Sequence, residues 1–538
     1  MNAGPAMNAG QAAVDRARHI LAIDLGTSAL KVALVSVAGH VVAAEQETCQ
    51  VTLLPGGGAE QDPEHWWNLI TRASSRLLAQ AAVPAESVVA VSCTAQWSGT
   101  VPVDEQGQPI RNAIIWMDSR GAPYVRRVTG GAVQVQGYGV GKLVRWLRST
   151  AGIPAQSGKD PIAHILWLKH AEPETYRRAR LFLEPKDWLN ARLTGRLAAS
   201  FDSIALHWVT DNRDPDRIRY DPALLRLAGL DQSRLPELKA ATDILGPLSS
   251  GPAAALGVPA GVPVVVGTPD LQSAAIGSGA TRDYQAHLYV GTSSWLTCHL
   301  PAKKTDLRHN MASLPSPIPG RYFVANEQET AGAALTFLRD RMLHGDGPPG
   351  SAYQEFDRMA ARAQPGSGGV IFTPWLYGER TPVEDRFVRG GFHNLSLSAS
   401  RDDLVRAVFE GVALNTRWLL GAVEHFTGHR LEPIRFIGGG ARSDVWCQIF
   451  ADVLRRSIEQ VADPVNANAR GAALLAAVAL GELTFDQVPD RVKIARSYQP
   501  DPAPRDLYDQ LFAEFTGFYR RNRKAHVRLN RERARSAS

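Results

Sequence analysis

The chain has little cysteine: Cys49, Cys93, Cys298 and Cys447 are the only four in 538 residues. They are scattered, with no C-x-x-C pair. That argues against a disulfide framework or a thiolate-held zinc, and for a reducing, cytoplasmic setting. No apolar run is long enough for a bilayer; the best, around Ala472–Leu480, falls well short of the roughly 20 residues a spanning helix needs. The first 18 residues lack the apolar stretch of a signal peptide and read as a flexible lead. No His pair has helical ligand spacing with a third ligand near it, and no G-x-S-x-G elbow is present. Metallohydrolase and serine-hydrolase chemistry are disfavoured accordingly. Widespread basic charge is missing too. The net charge is +6, yet residues 520–538 alone hold eight Lys or Arg against Glu532. The body is therefore near neutral, and the tail reads as a solvated, partly helical extension rather than a nucleic-acid surface.

What is present is a repeated turn. Leu21–Leu34 and His287–His299 each read as an apolar strand, a Gly-Thr-Ser turn and a second strand. Gly26-Thr27-Ser28 matches Gly291-Thr292-Ser293 residue for residue. Such a turn lets backbone N–H groups and hydroxyls approach a phosphate closely. Two copies suggest two related lobes closing on one polyphosphate, although each alone is equally an ordinary hairpin. Only the first copy carries an acid: Asp24 lies where the second has Tyr289. That carboxylate could hold Mg²⁺ through waters.

The apolar bursts Ile20–Ile23, Leu30–Val35 and His40–Ala44 predict a three-stranded meander. Asp62-Pro63 opens a helix with Trp66 and Trp67 as core residues. Ser87–Ser92 and Val262–Val266 read as strands, and Leu271–Gly277 as a helix. After Gly279 the pattern restarts, with Arg321–Ala325 as a third strand of the second hairpin. Leu404–Leu420 is an amphipathic helix, Ile434–Ile437 a strand, Ser443–Leu454 a helix and Arg470–Leu480 an Ala-rich helix. The order implies an α/β protein of two lobes: a lead at 1–18, lobes at 19–279 and 280–500, and a helical, basic tail at 501–538. The stretch Gly130–Asp160 reads as an insertion without an assigned place.

Three further groups carry chemistry. Asp270, in Gly267-Thr268-Pro269-Asp270, stands after an apolar strand and before a helix. A carboxylate there faces the crevice where α/β proteins bind ligands and could take a proton from an attacking hydroxyl; the plainer reading is a helix cap. Gly438-Gly439-Gly440 between strand and helix allows close approach of a flat ligand or phosphate. It is not G-x-G-x-x-G, so an NAD site is rejected. Gln96, Trp97, Trp116 and Asp118 suit a polyol, offering amide, carboxylate and aromatic surfaces, though each alone also fits a structural role.

As an ordered set these motifs resemble the FGGY carbohydrate kinase family of the actin-like ATPase superfamily. The match runs from about His19 to Gln499 through I-D-L-G-T-S, W-M-D-S-R, G-T-P-D, Y-V-G-T-S-S-W, R-A-V-F-E-G-V-A-L-N and F-I-G-G-G-A-R-S-D-V-W. The most similar subfamily is xylulokinase-like. The resemblance implies two ribonuclease-H-like lobes with ATP and a sugar in an interlobe cleft. It implies Asp270 as catalytic base, also touching substrate, and Asp24 at the Mg²⁺-associated acid. Gly26, Thr27 and Ser28 then form one phosphate loop and Gly291, Thr292 and Ser293 the other. Gly439, Gly440 and Ala441 fall at the adenosine loop, and Gln96, Trp97 and Asp118 at sugar contacts. The implied reaction is ATP-dependent phosphorylation of a primary hydroxyl, D-xylulose to xylulose 5-phosphate first. Alternatives are ribulose, gluconate, glycerol or another polyol as acceptor, or a non-catalytic actin-like switch. Neither nucleic acid nor membrane is expected as a partner, and a homodimer is left open. Two departures bear on the sugar: Trp97-Ser98 replaces the Met-His common in xylulokinases, and Leu271 follows Asp270 where a polar residue is usual.

Overall fold

The computed structural model describes residues 18–81, 83–343 and 349–536; the expected lead lies, but for Arg18, outside the described residues. Strands β1 (His19–Leu25), β2 (Ala29–Ser36) and β3 (Val41–Thr48) make the predicted antiparallel meander. β1 is buried throughout and β3 alternates, as befits an interior and an edge strand. Helix α1 (Pro63–Gln80) follows, its first turn capped by the Asp62 carboxylate, which accepts from the Glu64 N–H. Trp66 and Trp67 are buried beneath it. Strands β4 (Val88–Ala95), β5 (Ile244–Pro247) and β6 (Pro263–Val265) complete a six-stranded mixed sheet of order β5-β6-β4-β1-β2-β3. β1, β4 and β6 run parallel, and helix α2 (Asp270–Ser278) leaves the end of β6.

The second lobe repeats this plan. Strands β7 (Ala286–Val290) and β8 (Ser294–Thr297) form the second hairpin. After helix α3 (Arg401–Thr427) come β9 (Ile434–Ile437), helix α4 (Asp444–Leu454) and β10 (Ile458–Val461). Helix α5 (Ala467–Ala479) and β11 (Ile494–Tyr498) follow. The sheet order is β8-β7-β9-β10-β11. Pair by pair its senses match β2-β1-β4-β6-β5: a hairpin, two parallel neighbours, then an antiparallel edge. The chain is thus an α/β protein of two like-built lobes, with α2 and α5 in equivalent positions after β6 and β10.

One expectation needs correction. Tyr322–Ala325 is a strand but not the third of the second hairpin's sheet. It pairs with His299–Leu300 and Met311–Pro315 in a separate four-stranded sheet, because the chain past β8 turns away at Cys298. The basic tail is helical, with Arg520, Arg521, Arg523, Lys524, Arg528 and Arg531 exposed. It continues helix α6 (Arg505–Ser536), whose Tyr508, Leu511, Phe515 and Tyr519 recur at helical spacing and are buried. Phe515 and Tyr519 pack on Trp375, and Asn530 donates to the Phe387 carbonyl at 3.0 Å.

The lobes meet where α2 and α5 cross. A Cβ on Gly277 would stand 1.7 Å from the Ala467 carbonyl oxygen, and one on Gly471 1.8 Å from that of Ser273. Backbone therefore touches backbone, which no side chain would permit. The Ser273 hydroxyl donates to the Asn468 carbonyl at 2.8 Å and Arg470 Nε to the Gly277 carbonyl at 2.7 Å. Ala274, Ile276, Ala472 and Ala473 extend one apolar core through the crossing. Gly471→Ala is expected to lower stability by about 1–3 kcal/mol through overpacking. Gly421→Ala, in α3 with open space around it, should gain about 0.5–1 kcal/mol from helix propensity. Urea titration of both variants checks this; equal shifts would contradict the crossing.

Candidate active site

A cavity of about 940 Å³ lies between the lobes, at the upper end of the range for ligand sites. Both Gly-Thr-Ser turns line it, as do Asp24, Gln96, Trp97, Asp270 and Gly439. The turns are built for closeness. A Cβ on Gly26 would meet the Ala29 carbonyl oxygen at 2.7 Å, and one on Gly291 the Tyr289 hydroxyl at 2.5 Å. Tyr289 is itself stacked on Trp295, centroids 4.0 Å apart. The acid of one lobe is thus replaced by an aromatic platform in the other.

Asp24 ends β1 and is buried. Burial raises its pKa, offset by the Lys31 ammonium 3.9 Å away and a hydrogen bond with Asn468 of the opposite lobe. Lys31 also donates to the Val465 carbonyl at 2.6 Å, so one side chain ties the first turn to the second lobe. Asp270 is the first residue of α2 and opens on the cavity. Its Oδ1 accepts from the Leu271 N–H at 2.9 Å. Burial pushes its pKa well above the usual carboxylate range, and the Asp24 and Glu327 carboxylates push further. A cavity-facing carboxylate with raised proton affinity can accept a proton from a bound alcohol. The residues around β6 are tightly held: Thr94 donates to the Thr268 carbonyl at 2.8 Å, and the buried Lys186 donates to the Val266 carbonyl at 2.9 Å.

Thr27 joins the first turn to the polyol wall. Its hydroxyl donates to Gln96 Oε1 at 2.9 Å and accepts from Trp116 Nε1 at 2.8 Å. Gln96 in turn donates to Gln61 Oε1 at 2.7 Å, and Gln61 donates to the Thr27 carbonyl at 2.9 Å. The Thr27 side chain is therefore spent within this ring, leaving backbone groups and Ser28 for a phosphate. Trp97 is held by its indole N–H, which donates to the Ser203 carbonyl at 2.8 Å.

Three predicted site residues fall elsewhere. Asp118 is buried off the cavity wall, accepting from the N–H groups of Ala59 and Arg120 and from Arg120 Nε, each at 2.9 Å. Its acceptor capacity goes to these backbone and guanidinium donors. Of the glycine loop, Gly439 faces the cavity, whereas Gly440 packs on Val290 and Ala441 is buried in the second lobe's core. Gly438, with φ +88°, is the residue no side chain could replace: its Cβ would lie 2.6 Å from the Val290 carbonyl oxygen.

Sequence reasoning missed several cavity residues. The segment 130–160 forms a short hairpin, a helix over Val140–Thr150 and an irregular return. It walls the cavity with Tyr138, Ile153, Lys159 and Asp160. Asp160 accepts from Trp208 Nε1 at 2.8 Å and from the Ala155 N–H at 2.7 Å, and burial pushes its pKa up to about 6. The second lobe adds Glu327, Glu329 and Arg380. The alternating acids of Asn326-Glu327-Gln328-Glu329 were the available signal.

Because Asp270 has a folded pKa above its unfolded one, it costs stability as pH rises from about 4, the ordinary carboxylate value, to its folded pKa; the cost is constant beyond. Asp270→Asn removes that cost. Its urea midpoint should exceed the parent's at pH 7 and converge with it near pH 3. Coincident midpoints at pH 7 would show the carboxyl to be unperturbed.

Comparison with known proteins agrees with this geometry. The model of the FGGY family of carbohydrate kinases, N-terminal domain, matches residues 19–277, and that of its C-terminal domain matches residues 286–480. The xylulose kinase of Escherichia coli is 30% identical over 515 residues, 91% of this chain and 99% of its own length. An autoinducer-2 kinase of Enterobacter is 27% identical over 529 residues, 93% of this chain and 94% of its own length. A ligand-bound xylulose kinase from Lactobacillus acidophilus shares the fold with a TM-score of 0.83 at 23% identity, over 95% of this chain and 100% of that one. Among the described residues no helix is long and apolar enough to cross a membrane. Two like-built lobes, a shared cavity and both domain matches make the chain a member of the FGGY family of carbohydrate kinases, a sugar kinase that uses ATP.

Proposed function

We propose that the protein transfers the terminal phosphoryl group of ATP to a primary hydroxyl of a small ketose, D-xylulose first among them. The observation that carries this reading is the convergence of Asp270, Asp24 and both Gly-Thr-Ser turns on one cavity between the lobes. Asp270 is the base that takes the hydroxyl proton as the oxygen attacks. Its raised proton affinity suits it to hold that proton. Backbone groups of Gly26–Ser28 and Gly291–Ser293 hold the phosphates from either side, and Gly438-Gly439 leaves room for the nucleoside. Gln96 and Trp97 face the sugar.

Among the described residues no group of three His, Cys, Asp or Glu is set to enclose a metal ion. That fits Mg²⁺, which keeps several waters and binds through one or two carboxylates and the substrate's phosphates. Asp24 is the carboxylate that would hold it, and the ion would offset charge on the transferring group. Positioning and charge stabilisation supply most of the rate in such reactions. Two xylulose kinases among the similar proteins support the ketopentose reading. The four cysteines, all buried and unpaired, fit the cytoplasmic setting we assign.

Purified protein assayed for ADP release with D-xylulose, D-ribulose, gluconate and glycerol should respond first to D-xylulose. Asp270→Asn should lower kcat by about 10²–10⁴-fold with ATP affinity kept within a few-fold. Near-parental turnover in that variant rules out the base assignment, and ATP turnover indifferent to every acceptor favours a nucleotide switch.

A further inference from the structure

The phosphoryl-transfer chemistry leaves unused a set of charges that crosses the cavity. Lys159, from the 130–160 segment of the first lobe, points its ammonium at Glu329 of the second, 3.6 Å away. That is beyond hydrogen-bonding distance. It is the one carboxylate within 4 Å of the Lys159 ammonium among the described residues, Glu327 acting from farther away, and the side chain is only 22% exposed. Burial lowers the ammonium's pKa, as expected of a cation short of acceptors. Arg380, by contrast, is paired with two acids. Its Nε and Nη2 donate to Glu329 Oε1 at 3.1 and 2.8 Å, and its Nη1 donates to Glu327. Both cations stand 5.7 Å from the centroid of Trp116, whose indole is tied to Thr27 of the first Gly-Thr-Ser turn. The pair thus lies within one side chain of the turn and beside the polyol wall.

The charges of this wall balance or lean negative. Lys159 and Arg380 face Glu327, Glu329 and Glu384, with Asp160 and Asp270 on the same cavity. A substrate carboxylate would find the guanidinium already paired with two acids and would lie among further acids in a shielded space, where like charge is costly. A hydroxyl fits both open valences: it accepts from the Lys159 ammonium and donates to the Glu329 carboxylate. We infer that Lys159 and Glu329, one from each lobe, form a specificity-determining pair that takes a neutral sugar hydroxyl between them and rejects aldonates. This rests on the sugar-kinase reading of the same cavity. It also makes acceptor binding a two-lobe event, since neither half of the pair suffices alone.

Steady-state kinetics of the full chain with ATP, D-xylulose, D-ribulose and D-gluconate tests the pair through Lys159→Met, Lys159→Arg and Glu329→Gln. The parent should favour the neutral ketoses over gluconate by at least about 10³-fold in kcat/KM, as a site with buried polar groups left unpaired discriminates. Lys159→Met should raise KM for the ketose at least tenfold with KM for ATP unchanged. Lys159→Arg, which keeps a charged donor, should recover part of that loss. Glu329→Gln should raise the gluconate-to-ketose ratio at least tenfold. Gluconate turned over as well as a ketose by the parent overturns the inference alone, as does a ketose KM insensitive to Lys159→Met or a matching rise in KM for ATP. ADP release unresponsive to every acceptor overturns the kinase reading and this pair together.

Discussion

The backbone contact between α2 and α5 at Gly277 and Gly471 is the constraint on which the site depends. α2 begins with Asp270 and α5 begins beside Asn468, which hydrogen-bonds Asp24. Holding these two helices together fixes the distance between the two acids, and between each acid and the opposite lobe. Because the contact involves main chain rather than long side chains, it is short and stiff. Asp24 and Asp270 both stand on the cavity that the two Gly-Thr-Ser turns line.

Duplication explains the frame and asymmetry explains the chemistry. Each lobe builds the same five-strand order and places a helix after the equivalent strand. The position that holds Asp270 at the start of α2 holds Ala467 at the start of α5, and the position that holds Asp24 in β1 holds Tyr289 in β7. One lobe therefore supplies both acids, while the other supplies an aromatic platform and the Glu327–Arg380–Glu329 network. Burying Asp24, Asp270 and Glu327 around one cavity raises the pKa of each. Folding bears that electrostatic cost, and a cation bound with polyphosphate would relieve it.

The sequence showed local elements well because their signals are local. The Asp62-Pro63 cap, the apolar strands of the first meander and the Gly-Thr-Ser turns are each written in a few adjacent residues. Asp270 was legible because a strand, a turn and a helix start converge on it. What escaped depended on distant partners. Asp118 carries a sugar-contact pattern, yet Arg120 and the Ala59 N–H claim it. Gly440 and Ala441 share a motif with Gly439 but turn into the core. Lys159 and Glu329 are 170 positions apart, and nothing near either names the other. The charge count of 520–538 carried no signal of the apolar stripe Tyr508, Leu511, Phe515 and Tyr519 that precedes it in the same helix.

The most direct test is a crystal structure with a non-hydrolysable ATP analogue and D-xylulose bound together. The account predicts phosphates lodged between Gly26–Ser28 and Gly291–Ser293, with the acceptor's primary hydroxyl within about 3 Å of an Asp270 carboxylate oxygen and in line with the terminal phosphorus. A nucleotide seated outside the interlobe cavity, or an acceptor hydroxyl turned to a different base, would contradict it.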